Sequence, residues 1–548
     1  MLSSTKAGVL GASLLITRSL GHLGHDGNES FVVNTTSGAY SPHLDNAFPA
    51  VASFPDIPYA QNPTGPLRFA PPVPATPPAN GGVTFATSLP LGCFQYTSAA
   101  LEQTVSFYSE RSSVLQGGDV ANTTEDCLRL SVTAPRAVLE KVSHNGSGTP
   151  KSNGTGLPVL VWVHGGGWDL GGINTPYWLA PSWVEHSQAH IVVQIQYRLN
   201  LLGKPNAAGL TAPYSNSGED ENLNLSLLDQ RLAVEWVRDN IANFGGDPDR
   251  ITLWGQSAGA YSTDGYLFAW AKDPIIKGVI ANSGNAIAIP AYLGDATNHS
   301  VFSSAAERLG CGGLDPAEEL ACMREVPASD IKEYIQGPST AISASSDGLV
   351  FSTVIDNVTF FNDYPGRIVA KDPSLFASEI PLLISTTVDE GTAVVPYVFN
   401  GSATATQLPS EYQAIADAFT MNLRCTTLHD VQLRARIEAT SYQFLYDGNF
   451  TNISPVPWLG AYHTSELPLI YGTSALEGPS TTFEDQLGWR MQDRYLEFIK
   501  DPAGGLKRAG WPQATGDLDA KEIMGFGIYG ELEQLVSANQ WKLGEGCA

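Results

Sequence analysis

Residues 251–262 read ITLWGQSAGAYS. Ile251–Trp254 is an apolar run that suits a strand, and the small residues from Ala260 onward suit a helix. Between them Gly255-Gln256-Ser257-Ala258-Gly259 has to reverse the chain sharply. A serine on such a strand–turn–helix corner is held in strained backbone geometry with its hydroxyl presented at the sheet edge. The glycines on both sides let backbones pack closely. The chemistry this suggests is nucleophilic acyl transfer at Ser257. A G-x-S-x-G pattern alone is short enough to arise by chance, so its context carries the reading.

Working outward, apolar runs at Leu157–Val163, Ile191–Tyr197, Gly278–Asn282 and Leu382–Thr386 read as further strands. In residues 227–243, Leu228, Leu232, Trp236 and Ile241 recur at near-helical spacing, and Phe244-Gly245-Gly246-Asp247-Pro248 ends that helix. Strand, helix, strand is the pattern of a mostly parallel central sheet flanked by helices. The 548 residues show no internal repeat and no dividing linker. The Pro-rich stretch from Pro63 to Pro78 and the Gly/Ser/Asn-rich stretch from Asn145 to Gly156 read as loops. One α/β domain with long insertions is therefore expected over 28–548.

Composition narrows the function. With 43% hydrophobic and 16% charged residues the chain can bury a large core. A formal charge of −25, from 30 basic and 55 acidic residues, repels phosphate backbones and anionic membranes, which excludes nucleic-acid partners. Lys6, the short apolar segment Ala7–Ile16 and Thr17-Arg18 read as a signal peptide over residues 1–21, too short to span a bilayer. Sequons stand at Asn28, Asn34, Asn122, Asn145, Asn153, Asn224, Asn298, Asn357, Asn400, Asn449 and Asn452, against roughly four expected at random. The six cysteines suit an oxidising compartment. A secreted, extracellular glycoprotein without a membrane anchor is the expectation. Six cysteines allow 15 pairings. Cys311 with Cys322 and Cys93 with Cys127 are plausible local staples, each worth about 3 kcal/mol. Cys425 and Cys547 are left to tie down the C-terminus or to remain free.

A nucleophilic serine needs a base and the base needs an orienting carboxylate. His463, in the loop Gly460-Ala461-Tyr462-His463-Thr464-Ser465-Glu466, is the candidate base among ten histidines. Asp389-Glu390-Gly391 follows the predicted strand at Leu382, where a doubly wound sheet presents functional groups. The order Ser257, Glu390, His463 is the nucleophile–acid–base order of the α/β-hydrolase fold. Upstream, the strand Val159–Val163 runs into His164-Gly165-Gly166-Gly167-Trp168. The amides of this turn, with that of Ala258, can face a developing oxyanion.

These motifs, together with residues 54–72 (FPDIPYAQNPTGPLRFAPP), 124–132 (TEDCLRLSV), 387–391 (TVDEG), 460–468 (GAYHTSELP) and Gly510-Trp511-Pro512, resemble the type-B carboxylesterase/lipase family from Phe54 to Trp511. That family includes cholinesterases, fungal lipases and the non-catalytic neuroligins. The resemblance implies Ser257 as nucleophile, Glu390 as acid, His463 as base and oxyanion amides at Gly166, Gly167 and Ala258. It also implies disulfides Cys93–Cys127 and Cys311–Cys322, and structural ion pairs Arg68–Glu125 and Arg198–Asp229. Neither metal nor cofactor is implied, and the partner is a small-molecule or lipid ester. The chain departs from the cholinesterases: residues 115–119 carry no tryptophan to hold a quaternary ammonium, and Gln256 stands where they carry Glu. Between Cys93 and Cys127, Leu101, Val105, Tyr108 and Leu115 fall near one helical face, as in a lid or a surface helix. The expected activity is ester hydrolysis through an acyl-enzyme. A lipase acting on long-chain acylglycerols, a biosynthetic acyltransferase or lactonase, and a neuroligin-like adhesion protein are the alternatives.

Overall fold

Ten strands share one sheet in the computed structural model, which describes residues 31–95, 122–144, 156–215, 223–336, 350–395 and 407–547. In chain order they are β1 Val51–Pro58, β2 Arg129–Pro135, β3 Leu157–Val163, β4 Ile191–Ile195, β5 Gly246–Gln256, β6 Gly278–Asn282, β7 Leu382–Thr387, β8 Ser441–Tyr446, β9 Ile523–Phe526 and β10 Glu533–Val536. Across the sheet the order is β10-β9-β8-β7-β6-β5-β3-β4-β2-β1. The seven central strands from β9 to β4 run parallel, and the edges at β10 and at β2–β1 are antiparallel. This is the mostly parallel sheet of the α/β-hydrolase fold.

Strand alternation builds two cores. In β3, Val159, Val161 and Val163 pack into one apolar cluster, while Leu160 and Trp162 pack into another on the opposite face, because successive side chains leave a strand in opposite directions. On the second face Trp162 lies 4.3 Å from Trp254 between ring centres, and Trp254 stacks on Tyr471 at 5.1 Å. Central strands covered on both faces read as continuous apolar runs, which is why they are visible in the sequence.

Helix α1, Leu225–Asn240, continues into a 3-10 turn at Ile241–Phe244, so the predicted helix is present two residues early. Its buried surface is wider than the predicted stripe: Trp236 and Ile241 are buried as expected and Leu228 and Leu232 half-buried, while Leu225, Leu227, Ala233, Val234 and Val237 are buried as well. The helix is covered nearly all round, so a single apolar stripe does not describe it. Helix α2 is Ala258–Ala269, α3 Ser410–Arg436 and α4 Thr482–Lys500. Arg434 of α3 bonds Asp264 of α2 at 2.5 Å and Asp430 at 3.0 Å, all three fully buried. Removing one member would leave a buried charge uncompensated, so the triad locks α3 to α2.

Cys93–Cys127, Cys311–Cys322 and Cys425–Cys547 are disulfide-bonded. The third ties the C-terminus to α3 and closes a sequence separation of 122 residues, worth roughly 5 kcal/mol by chain entropy. The Arg68–Glu125 and Arg198–Asp229 pairs are both present and buried. Among the described residues no helix is long and apolar enough to cross a membrane. The signal segment 1–21, Asn28, Asn145, Asn153, Asn400, and Leu101, Val105, Tyr108 and Leu115 lie outside the described residues.

One sequon, Asn224, is corrected by the fold. Asn224 is fully buried; its amide donates to Val354 O, Asp356 Oδ2 and Thr359 Oγ1, and its Oδ1 accepts from Val354 N. Asn452 is half-buried with its amide donating to Ser474 O and Glu484 Oε1. A glycan needs an amide nitrogen that reaches solvent. Asn34, Asn122, Asn298, Asn357 and Asn449 are exposed. In protein collected from a eukaryotic secretory host, enzymatic deglycosylation and peptide mapping are expected to find Asn-to-Asp conversion at exposed sequons and none at Asn224. Occupancy at Asn224 would contradict the fold.

Candidate active site

The segments that follow four of the central strands, β3, β5, β7 and β8, contribute to the lining of one cavity of about 400 Å³. Ser257 comes first after β5 and has φ +56° and ψ −125°, a conformation costly for any residue with a side chain. Its amide donates to Asn282 O at 2.9 Å, and its carbonyl accepts from Tyr261 N at 2.9 Å. The flanking glycines are required sterically. A Cβ on Gly259 would stand 2.1 Å from the Val163 carbonyl oxygen, and one on Gly255 2.2 Å from that of Gly259. Helix α2 therefore seats directly on the end of β3, and Ser257 is left facing the cavity.

Glu390 opens the 3-10 turn after β7 and is fully buried. Its Oε1 accepts from Thr387 N at 2.8 Å and its Oε2 from His463 Nδ1 at 2.6 Å. The loop carrying His463 is clipped to the same strand end: Asp389 N donates to Ala461 O, and Ala461 N donates to Asp389 Oδ2, each at 3.0 Å. Because Nδ1 carries the proton toward Glu390, Nε2 is the accepting nitrogen. It faces the Gln256 side-chain amide at 3.1 Å. Gln256, which the sequence marked only as a missing charge, thus occupies Nε2 of an imidazole that lines the same cavity as Ser257.

The turn after β3 shows why its amides are free. His164 donates from Nδ1 to Gly165 O at 2.8 Å, and burial holds this imidazole neutral, its pKa lowered to about 4. Gly166 O accepts from Asp169 N at 2.9 Å and Leu170 N at 3.1 Å. Gly167 O accepts from Lys204 Nζ at 3.1 Å, and Trp168 O from Asn200 N at 2.8 Å. In a trans peptide the N–H points opposite to the preceding C=O. Tying four carbonyls outward therefore fixes where the following amides point. Gly166, Gly167 and Ala258 line the cavity, and their amides have no acceptor among the described residues. Such an arrangement of donors can stabilise an oxyanion.

The walls are largely aromatic. Trp168, Tyr261 and Tyr292 form one side, with Tyr261 stacked on Tyr292 at 5.3 Å. Phe419 meets His463 edge-on at 5.6 Å. Within this lining lies an ion pair, Lys204 Nζ to Asp169 Oδ1 at 2.9 Å. Neither Lys204 nor Asp169 was singled out in the sequence, since an isolated lysine after a short helix carries no local signal of burial.

Glu466, one turn beyond His463, is fully buried; Oε1 accepts from Asn282 Nδ2 at 3.1 Å and Oε2 has no partner. Burial, then the neighbouring Glu390 charge, raises its pKa to about 7. The folded state thus binds this proton more tightly than the unfolded chain does. The resulting stability is complete below the ordinary carboxylate range and is lost as pH rises through about 7. Asp447, raised to about 6 by burial and Asp389, acts in the same direction. The melting temperature is expected to fall between pH 5 and pH 8, and less steeply in Glu466→Gln. Equal slopes in the two proteins would contradict the assignment.

With this geometry in place, comparison with known proteins is direct. Residues 32–438 match the model of the carboxylesterase family. "Secreted lipase 5" of Gibberella zeae is 53% identical over 511 residues, 93% of each chain. "Chlorogenic acid esterase" of Aspergillus niger is 36% identical over 532 residues, again 93% of each. A solved PNB esterase superposes with a TM-score of 0.66 at 23% identity, covering 94% of this chain and 99% of that one, which supports the fold. A sheet that delivers a strained serine, a buried carboxylate–imidazole pair and free amides to one cavity, in a chain similar to esterases along nearly its whole length, places this protein in the carboxylesterase family, as a hydrolase of carboxylic esters.

Proposed function

We propose that the chain is a secreted serine carboxylesterase in which Ser257, His463 and Glu390 act as nucleophile, base and acid. The observation that carries this reading is the convergence of the strained Ser257, the Glu390–His463 hydrogen bond and the free amides of Gly166, Gly167 and Ala258 on one cavity. Ser257 Oγ attacks the ester carbonyl carbon while its proton passes to His463 Nε2, displacing the Gln256 amide from that nitrogen. The carbonyl oxygen, now negative, takes the three amides, each worth roughly 3–4 kcal/mol. Collapse breaks the bond to the alcohol oxygen, which leaves with the proton from His463. Water then enters, gives a proton to His463 and cleaves the acyl-enzyme by the same path. Glu390 holds the Nδ1 tautomer throughout and stabilises the transient imidazolium.

The signal segment over residues 1–21, the exposed sequons and the three disulfides support secretion. The cavity of about 400 Å³ with aromatic walls favours compact esters over long acyl chains. Hydrolysis of p-nitrophenyl esters from acetate to palmitate tests both points. Turnover is expected to be highest at short chains and to fall toward palmitate, and Ser257→Ala is expected to lose at least about 10⁴ in kcat. A folded wild-type protein no more active than Ser257→Ala would overturn the reading.

A further inference from the structure

An ion pair is an unusual wall for a site that must receive an apolar ester, and Lys204–Asp169 is built asymmetrically. The Lys204 side chain is 2% exposed and its Nζ is spent on Gly167 O and Asp169 Oδ1. Asp169 is 25% exposed, lines the cavity, and its Oδ2 has no hydrogen-bond partner among the described residues. Both residues line the cavity, and of the two side chains the carboxylate is the more exposed. Burial raises the Asp169 carboxyl above its ordinary range and lowers the Lys204 ammonium. Each charge is costly to desolvate, and Lys204 offsets that of Asp169 only on its Oδ1 side.

The surroundings specify what should approach Oδ2. Asp169 follows the amide-bearing turn by two residues, and Trp168, Tyr261 and Tyr292, in ring contact with one another, line the same cavity. Trp168 is fixed by its Nε1 donating to Ser262 Oγ at 2.9 Å. Aromatic faces of this kind favour a planar ring by offset or edge contacts. An acceptor-only oxygen in the same cavity takes an O–H donor and repels a carboxylate. We propose that Asp169 is a specificity-determining residue that binds the hydroxyl of a phenolic ring, so that the preferred substrates are esters carrying a hydroxylated aromatic group. This rests on the cavity being the ester site of the proposed reaction. A plain alkyl or unsubstituted aryl ester leaves Oδ2 desolvated and unpaired when it displaces water, which is the penalty that generates discrimination.

The test separates binding from turnover by using Ser257→Ala protein, with affinity read by calorimetry. Two matched probe pairs locate the ring: ethyl caffeate against ethyl cinnamate for the acyl side, and tyrosol acetate against phenethyl acetate for the alcohol side. In one pair the hydroxylated ester is expected to bind about tenfold tighter or more, as for a hydrogen bond to a charged group. Adding Asp169→Asn should bring that ratio near unity, and Asp169→Glu should restore part of it. If Asp169→Asn fails to fold because Lys204 is left uncompensated, Asp169→Asn with Lys204→Met removes both charges and reads the same ratio. Equal affinities in both pairs, or a preference that survives loss of the carboxylate, would overturn the proposal. Wild-type hydrolysis of p-nitrophenyl acetate reports separately on the Ser257 chemistry, so the two readings fail independently.

Discussion

The contact between Gly259 and the end of β3 is the constraint on which the rest depends. Because no side chain intervenes between α2 and the Val163 carbonyl, the helix starts within reach of the turn that leaves β3. The register Gly255↔Val163 brings both strands to their ends together. One chain then turns into Ser257 and the other into His164–Trp168. A strained serine and a row of free amides are thus consequences of the same close approach. The strain at Ser257, of order 1–3 kcal/mol, is offset by the hydrogen bonds of its own amide and carbonyl and by the aromatic packing of Trp254 on the sheet face beneath.

The Glu390–His463 side of the cavity is assembled over a longer distance and by different means. Glu390 needs only β7 to place it, but His463 lies 17 residues past the end of β8 at Tyr446. What brings it back is Asp389, whose backbone and carboxylate both grip Ala461. The neighbour of Glu390 thereby positions His463. Glu466 and the Asp264–Arg434–Asp430 triad extend the pattern of buried polar groups beneath the site.

Legibility in the sequence followed locality. Five buried parallel strands, β3 to β7, and the turns after β3, β5 and β7 are contiguous patterns and readable where they stand, whereas β8, Ser441–Tyr446, mixes polar with apolar residues and β9, Ile523–Phe526, spans four residues, and neither was read. Strand β1 was not, since Pro55 and Asp56 interrupt it and its register shifts between Phe54 and Ile57, as an edge strand tolerates. Helix α3 hides its burial behind Asp430 and Arg434, whose charges satisfy one another and look like a solvated face in sequence. The helix expected between Cys93 and Cys127 lies outside the described residues. The placement of Ser257, Glu390 and His463 about one site was legible through motif and order, and so was the glycine turn after β3. Gln256 and the Lys204–Asp169 pair were not, because their roles exist only through contacts 35 to 207 residues apart.

The central claim is that one serine, activated by the geometry around it, carries the chemistry. Inactivation with a p-nitrophenyl alkylphosphonate, followed by peptide mass mapping, tests it most directly. The account predicts a single stoichiometric adduct on the peptide containing Ser257, with loss of esterase activity in proportion to labelling. Activity lost through an adduct elsewhere, or retained with Ser257 fully labelled, would contradict it.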